Sequence, residues 1–502
     1  MKRVLVANRG EIALRIMRGC REAGLEVVAI HSDADSSAPH VVFADHAVLL
    51  TGENPLQVYL DVDGLVQVAL DAGADAVHPG YGFLAENASF ARAVEAAGLT
   101  FIGPTAATID QMGSKTEART LMQNAGVPVV PGYQGPVDDS GAMGAAAGEI
   151  GYPVLVKASF GGGGKGMRVV RSPEGLVEAI ESAQREAKSA FGDSRVFLEK
   201  FVEGPSHVEV QILGDGEGGA IHVGERECSV QRRHQKVIEE CPAAWINEET
   251  RQAICDAGVL AAKAVNYRGA GTVEFLVERN GDFYFLEMNT RLQVEHPVTE
   301  CVYGRDLVRA QLHIASTGTL PFEQHELVAR GHALEARIYA ESPEDGFMPS
   351  IGELLRVEFP SGPGVRIDSG VREGMEISVH YDPMIAKLIV FAETRERAIE
   401  KLIVALGDTV LHGVKTNVGL LQRICRSEAF ADNAVHTRWL DEEGAVLWEG
   451  VKPDLMMALA AWGASQRTSS GPSQDTGASA SPMAPGIWKT IGGWKMSEGG
   501  LS

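Results

Sequence analysis

Cysteine is scarce and unpatterned in this chain. Six occur in 502 residues: Cys20, Cys228, Cys241, Cys255, Cys301 and Cys425, with no C-x-x-C pair among them. That spacing excludes a disulfide framework or a cysteine-built zinc site and points to reduced thiols. Positive charge is also short. Lys and Arg number 45 against 67 Asp and Glu, a formal charge of −22. A non-specific nucleic-acid binder, which needs a basic footprint, is thereby excluded. No apolar run reaches the roughly 20 residues of a membrane span. No signal or transit peptide is visible either, because the strand-like Val4-Leu5-Val6-Ala7 starts almost at once. The expected location is cytoplasmic, or the mitochondrial matrix if a presequence has been removed. What is present is ordinary for an α/β protein, 45% hydrophobic and 22% charged, and too long for one core, so two to four domains are expected.

Strand and helix alternate through the first hundred residues. Val4 to Ala7, Val27 to Ile30, Ala76-Val77 and Phe101-Ile102 read as strands; Glu11 to Glu22, Gly64 to Ala72 and Glu86 to Ala97 read as helices. That alternation predicts a doubly wound parallel sheet, with ligands at the carboxyl ends of its strands. From Lys115 to about 330 the pattern changes to short strands around a glycine-rich loop, after a helix from Thr116 to Asn124. From Gly331 to about 445, strands (Ala333 to Tyr339, Leu354 to Phe359, Lys387 to Phe391) and a helix (Arg395 to Leu406) predict a mixed α+β domain. Ser465 to Pro485 has the composition of a flexible linker.

The most informative pair is Glu274 and Glu287. Gly271 to Glu278 and Phe283 to Glu287 read as the arms of a hairpin around Asn280-Gly281, the preferred dipeptide of a two-residue turn with both central φ positive. Such a turn sets Glu274 directly opposite Glu287, with Cβ atoms roughly 5 Å apart, which destabilises a sheet unless something neutralises the charges. A divalent cation with hard oxygen ligands, Mg²⁺ or Mn²⁺, would do so. If the chain stays extended, Glu287, Asn289, Arg291, Gln293 and Glu295 project to one face. Glu295 is then either an ion-pair partner of Arg291 or a general base beside a metal.

Three further segments carry chemistry. Lys157 to Val170 contains Gly161-Gly162-Gly163-Gly164-Lys165-Gly166. A dinucleotide fold would need a helix next, but Met167 to Val170 is strand-like; a Walker loop would need Gly-Lys-Ser/Thr. A strand–loop–strand flap over phosphates remains, against the simpler reading of a flexible turn. Lys115 and Lys157 have charges suited to phosphate oxygens, though an isolated lysine is ordinarily a solvated one. Arg232, Arg233, His234 and Lys236 crowd a strand-like segment of an acidic protein, as an anion site or a solvated basic stretch. Cys228 and Cys241, with no base–nucleophile pair nearby, read as buried structural thiols.

The glycine-rich loop, the Glu274/Glu287 pair and the run from Glu287 to His296 together resemble the ATP-grasp enzymes. Ser229-Val230-Gln231-Arg232-Arg233-His234-Gln235-Lys236, Ala7-Asn8-Arg9-Gly10-Glu11-Ile12-Ala13 and His78 to Asn87 narrow the resemblance to biotin carboxylase, in motif order over residues 2 to 446. The resemblance implies a doubly wound N-terminal domain (1–114) and an ATP-grasp domain (115–330) with a lid at about 131–202. A mixed C-terminal domain (331–446) and a partly flexible tail (447–502) would follow. It implies that ATP and bicarbonate give carboxyphosphate, whose CO₂ passes to N1′ of biotin. Lys115, Lys157, Gly163, Gly164 and His207 match positions for ATP phosphates or ribose. Glu199, Lys200, Phe201 and Val202 match the adenine segment, with Gln231 and His234 alongside. Glu274, Glu287 and Asn289 match metal ligands. Lys236, Arg291, Gln293 and Val294 match the bicarbonate pocket, and Arg291 and Lys236 also count among the catalytic positions. Glu295 matches the base and Arg337 the cation that stabilises the biotin enolate. No Ala-Met-Lys-Met acceptor motif is present, and Trp494-Lys495-Met496 is only superficially similar. The biotin is therefore expected on a carrier domain of another chain or of a continuation, with a carboxyltransferase subunit as further partner and a homodimer or larger hetero-oligomer as the assembly. Lys165, Trp488 and Trp494 resemble the larger acyl-CoA carboxylase α subunits (acetyl-, propionyl- or methylcrotonyl-CoA type). Another ATP-grasp carboxylate–amine ligase would lack Arg291 to Glu295 and Arg337, and a non-catalytic regulatory subunit would have lost Lys236, Glu295 or the paired carboxylates.

Overall fold

Val4, Leu5 and Val6 have no exposed surface, the condition of a parallel strand covered on both faces. The computed structural model describes residues 1–133, 140–158 and 167–447. There the run is β1 (Arg3–Val6), central in a parallel sheet with β2 (Glu26–His31), β3 (His46–Leu49), β4 (Ala76–His78) and β5 (Thr100–Phe101), ordered β3-β2-β1-β4-β5. β3 left no trace in the sequence pattern because it is an edge strand whose side chains are mostly exposed. The strand order reverses at β1, and the loops after β1 and β4 are tied together there. Asn8 Nδ2 donates to the carbonyl oxygens of Pro79 and Tyr81, each at 2.8 Å. Gly80 has φ +64°, and a Cβ on it would stand 2.8 Å from Asn8 Nδ2, so glycine alone satisfies both constraints.

A small antiparallel sheet follows: β6 (Gly132–Tyr133), β7 (Val154–Ala158), β8 (Arg168–Val170) and β9 (Val196–Lys200), ordered β6-β9-β7-β8. Helices Ser140–Ile150 and Leu176–Phe191 pack on it through Met143, Ala147, Ile180 and Ala183. The glycine-rich segment expected as a flap, with Gly163, Gly164 and Lys165, lies outside the described residues. So does the tail beyond 447, with Trp488 and Trp494.

The largest sheet has eight strands. Six are β10 (Ser206–Asp215), β11 (Ala220–Arg232), β12 (Gln235–Cys241), β13 (Arg268–Val277), β14 (Phe283–Asn289) and β15 (His332–Tyr339); the order β14-β13-β10-β11-β12-β15 continues into Met384–Ala392 and then Val365–Ser369. The sheet therefore runs unbroken past residue 331. Val208, Val210 and Ile212 of β10 and Val273 and Phe275 of β13 face the helix Glu248–Ala264, meeting its Ile254, Ala257 and Ala261. Each such burial is worth roughly 1.5–3 kcal/mol. The alternate residues form the opposite, polar face.

The hairpin between β13 and β14 keeps the predicted Glu274–Glu287 pairing by a different route. Glu278 and Asp282 close the turn, and Gly281 has positive φ (+95°) whereas Asn280 does not, so the turn is not the two-residue type. That connection shifts the register by one: Val277 pairs with Phe283 and Phe275 with Phe285. An irregularity leaving Leu286 unpaired then restores Glu274 opposite Glu287. Its cause is tertiary: the Phe285 N–H is drawn to Pro128 O at 2.7 Å. Nor does the chain stay extended to Glu295. β14 ends at Asn289, the backbone bends at Arg291, and a helix (His296–Tyr303) begins just after Glu295.

Candidate active site

One face of the large sheet collects charged side chains from strand after strand. Register sets Glu287 opposite Glu274, Glu274 opposite Glu209, and Glu209 opposite Arg226. Further across, Glu239 lies opposite Glu335, Arg337 opposite Lys387, and Lys387 opposite Asp368. An irregularity between β11 and β12 at Val237 brings Lys236 to the same side as Glu239. Such a face has no use in a core, because buried charges are costly unless paired.

Lys236 is its hub. Nζ donates to Glu209 Oε2 at 2.6 Å, Glu295 Oε1 at 2.6 Å, Glu274 Oε1 at 2.9 Å and Gln293 Oε1 at 3.3 Å. Although burial disfavours the charge, these carboxylates raise its pKa well above the ordinary lysine value. Glu295 has no exposed surface. Its other oxygen accepts from Arg337 Nη2 at 3.0 Å, and Arg337 Nε binds Glu239. Burial pushes Glu295 up, but Lys236, Arg337 and Arg226 outweigh it and hold the carboxyl far below its usual range. The reading of Glu295 as the ion-pair partner of Arg291 is thus corrected. Arg291 pairs with Glu86 Oε2 at 3.0 Å and donates to Asn289 Oδ1 at 2.9 Å, while Glu295 belongs to Lys236 and Arg337.

The facing carboxylates behave as two unlike acids. Glu274 accepts from Asn289 Nδ2 and Gln293 Nε2, each at 2.8 Å, and lies 3.0 Å from His207 Nε2. Burial opposes its ionisation, yet Lys236 and His207 keep its pKa well below normal. Glu287 is raised by burial and by Glu274, with Lys115 opposing. Lys115 in turn is lowered by burial and by Lys157 against the pull of Glu287 and Glu199. The pair thus holds one firmly ionised carboxylate and one that resists ionisation. Added to Asn289, its oxygens form a hard donor set, and a divalent cation there would relieve the repulsion.

The nucleotide-type residues lie on both sides of this face. Lys157 Nζ is 2.8 Å from Glu199 Oε2, and Arg119 binds the same carboxylate at 3.2 Å. Lys200, Phe201 and Val202 lead out of β9. His207 is fixed by Gln231, whose Nε2 is 2.7 Å from His207 Nδ1 and donates to Cys228 O at 2.7 Å. His234 is exposed at the tip of the β11–β12 hairpin, where it and Arg233 take φ of +67° and +48° without a glycine. Cys228 and Cys241 are buried free thiols, raised well above normal by burial.

Sequence reasoning missed Glu209, Arg226, Glu239 and Glu86. The first had the same signal as the run after Glu287: His207, Glu209 and Gln211 alternate with Val208, Val210 and Ile212. Arg226, fully buried, ties Glu209, Gln211, Thr272 and Thr299.

Known proteins fit this arrangement along the whole described chain. Residues 1–109 match the family "Biotin carboxylase, N-terminal domain", 114–323 the "Carbamoyl-phosphate synthase L chain, ATP binding domain", and 335–442 the "Biotin carboxylase C-terminal domain". Biotin carboxylase of Haemophilus influenzae is 49% identical over 444 residues, covering 88% of this chain and 99% of that one. This chain belongs to the biotin carboxylase family. The mitochondrial methylcrotonoyl-CoA carboxylase subunit alpha of Rattus norvegicus is 50% identical over 441 residues, 88% of this chain. This chain spans only 62% of that relative's length. Among solved structures, the biotin carboxylase domain of Hydrogenobacter thermophilus 2-oxoglutarate carboxylase, in complex with MgADP, ADP and bicarbonate, aligns with a TM-score of 0.85. It is 46% identical, and the alignment covers 90% of this chain and 99% of that one.

Proposed function

We propose that this protein carboxylates biotin at the expense of ATP and bicarbonate, as the first half-reaction of a biotin-dependent acyl-CoA carboxylase. The observation that carries the reading is Glu295, fully buried and gripped by Lys236 and Arg337 beside the Glu274/Glu287 pair. Bicarbonate is a poor nucleophile until it loses a proton, so the site must hold an anion and a base together. Lys236, Arg291, Gln293 and the backbone at Val294 would hold the anion; Glu295 would take its proton. As it stands Glu295 is ionised but weakly basic. An anion arriving between Lys236 and Arg291 draws those cations toward itself, which raises the proton affinity of Glu295 and lowers that of bicarbonate.

Glu274, Glu287 and Asn289 fit Mg²⁺ or Mn²⁺, which when bound supplies neutralisation of phosphate charge. Lys115, Lys157 and His207 would orient the ATP phosphates, with Gly163 and Gly164 matching phosphate-binding positions of the family. Glu199 to Val202, Gln231 and His234 would receive the nucleoside. Arg337, already beside Glu295, would stabilise the biotin enolate. The acceptor is biotin on a carrier domain, and a carboxyltransferase would use the product. We take the final acceptor to be an acyl-CoA of the acetyl-, propionyl- or methylcrotonyl-CoA type, the last being the one in the name of relatives at 50% identity. Among the described residues no helix is long and apolar enough to cross a membrane. We take the compartment to be a reducing one, the cytoplasm or the mitochondrial matrix, on the six free thiols.

Free biotin, ATP, Mg²⁺ and labelled bicarbonate provide the test. Phosphate release that depends on both biotin and bicarbonate is expected; release independent of either overturns the reading.

A further inference from the structure

Lys387 has no exposed surface, and its ammonium reaches the backbone of the bicarbonate-type segment: Nζ donates to Val294 O at 2.7 Å. It comes from Met384–Ala392, directly opposite Arg337, two strands from the hairpin that carries Lys236. Around it lie Glu11 of the helix Gly10–Glu22, with Oε1 at 3.4 Å, and Asp368 of Val365–Ser369, with Oδ2 at 3.9 Å. Glu335 of β15 and His296 of the helix after Glu295 also feel its charge, as does Arg366. The same Glu11 Oε1 accepts from Tyr81 Oη, in the loop after β4. Three parts of the chain thus meet at one ammonium: the first helix, Gly10–Glu22, the strands past 331, and the turn holding Gln293, Val294 and Glu295.

The carbonyl of Val294 has no strand neighbour to bond, since β14 ended at Asn289. Among the described residues the bond from Lys387 is the one side-chain hydrogen bond to that carbonyl, while the preceding carbonyl, of Gln293, is held by His296. A buried lysine is an expensive donor for a task that an asparagine could perform if only a hydrogen bond were needed. We propose that Lys387 is a positioning residue, holding the Val294 peptide so that Gln293, Val294 N–H and Glu295 converge on one anion. Burial would lower the lysine pKa, but Glu11, Glu335 and Asp368 raise it, so the donor stays charged. The inference rests on the bicarbonate reading above for its kinetic consequence, though not for its structural one.

Full-length Lys387→Met and Lys387→Gln test it, the second keeping an N–H for Val294 O without the charge. Hydrogen exchange of the amides between 292 and 296 reads positioning directly, with or without turnover. Exchange in Lys387→Met is expected to rise about tenfold or more, the size of a lost charge-assisted hydrogen bond, with Lys387→Gln intermediate. In the biotin assay the bicarbonate KM of Lys387→Met should rise by a similar factor while the ATP KM stays within about twofold. Exchange and bicarbonate KM both within about twofold of the unmodified protein overturn the proposal, as does a parallel rise in both KM values. If Lys387→Met does not fold, the double variant Lys387→Met, Glu11→Gln removes the stranded charge and is read in the same way. Failure of that variant to fold makes Lys387 a folding residue only, and the proposal falls. An unmodified protein that cannot carboxylate biotin defeats the function reading alone, because exchange still decides the role of Lys387.

Discussion

Two buried charge networks lie side by side in this molecule and are built on opposite principles. In the first, Arg15 binds Glu300 at 2.7 Å and Asp306 at 2.9 Å, and Arg366 binds Glu300 and Asp368 at 2.7 Å each. Every carboxylate there has a guanidinium, and Arg366 grips Asp368 as a two-bond fork. In the second, a single ammonium, Lys236, is shared by Glu209, Glu274 and Glu295, with Arg226 and Arg337 on the other oxygens of Glu209 and Glu295, and Glu287 has no cation within ion-pair distance among the described residues. The first is closed; the second is short of positive charge at one end and rich in it at the other, around Arg291 and Arg337. That imbalance is what the proposed cation and anion would neutralise. Lys387, 3.9 Å from Asp368 and bonded to Val294 O, is where the two networks touch.

Breaking the open network should cost turnover before stability. Glu295→Gln is expected to lower biotin carboxylation about 10²- to 10⁴-fold, the range for loss of a general base. Its melting temperature should change little, because Lys236 keeps Glu209 and Glu274; steady-state phosphate release and calorimetry check both. Breaking the closed network should do the reverse. Arg15→Met leaves Glu300 to Arg366 alone and Asp306 with no guanidinium, and is expected to cost about 3 kcal/mol of unfolding free energy, the low end for breaking a buried pair. Turnover of the folded fraction should remain within a few-fold, as a urea titration alongside the assay would show.

Glu287→Gln sharpens the contrast. Removing one of two facing carboxylates should leave the protein as stable or slightly more so, by up to about 1 kcal/mol. The Mg²⁺ concentration for half-maximal rate should rise about tenfold or more, and an unchanged metal titration contradicts the ligand role.

The smallest effect concerns a carboxyl outside both networks. Burial and the nearby Glu240 push Glu227 up to about 7, while Ser229 Oγ donates to it at 2.8 Å. A raised carboxyl pKa means the folded state keeps a proton that the unfolded state has lost. Its contribution therefore falls as pH climbs from the ordinary carboxylate range to about 7, then levels off. Glu227→Gln should match the unmodified protein near pH 5 and exceed it in melting temperature near pH 8, as paired scans would reveal.

Two hairpins show how much of this was legible in the sequence. Asn280-Gly281 advertises a two-residue turn, yet Gly281 has positive φ and Asn280 does not, because Pro128 pulls on Phe285 and a bulge takes up the difference. Arg233-His234 advertises nothing of the kind, yet both residues adopt positive φ. Strain of that sort costs of order 1–3 kcal/mol per residue and persists only where surrounding structure imposes it. Turn chemistry is a local preference of a few kcal/mol, and packing of a whole sheet overrides it. The Glu274–Glu287 pairing survived because two errors of one residue cancelled.

The doubly wound opening sheet, the helices from Gly10 and Lys115, and the polar identity of positions 287 to 295 are determined by the sequence, since periodicity and residue chemistry are local properties. The partners of those residues are not. Glu295 lies 59 positions from Lys236 and 42 from Arg337, and Arg291 lies 205 from Glu86. Strand order and two register irregularities decided which charges would meet, and ionisation followed from burial and neighbours that no local pattern specifies. The side chains of the site were written in the chain; their charge states were made by the sheet.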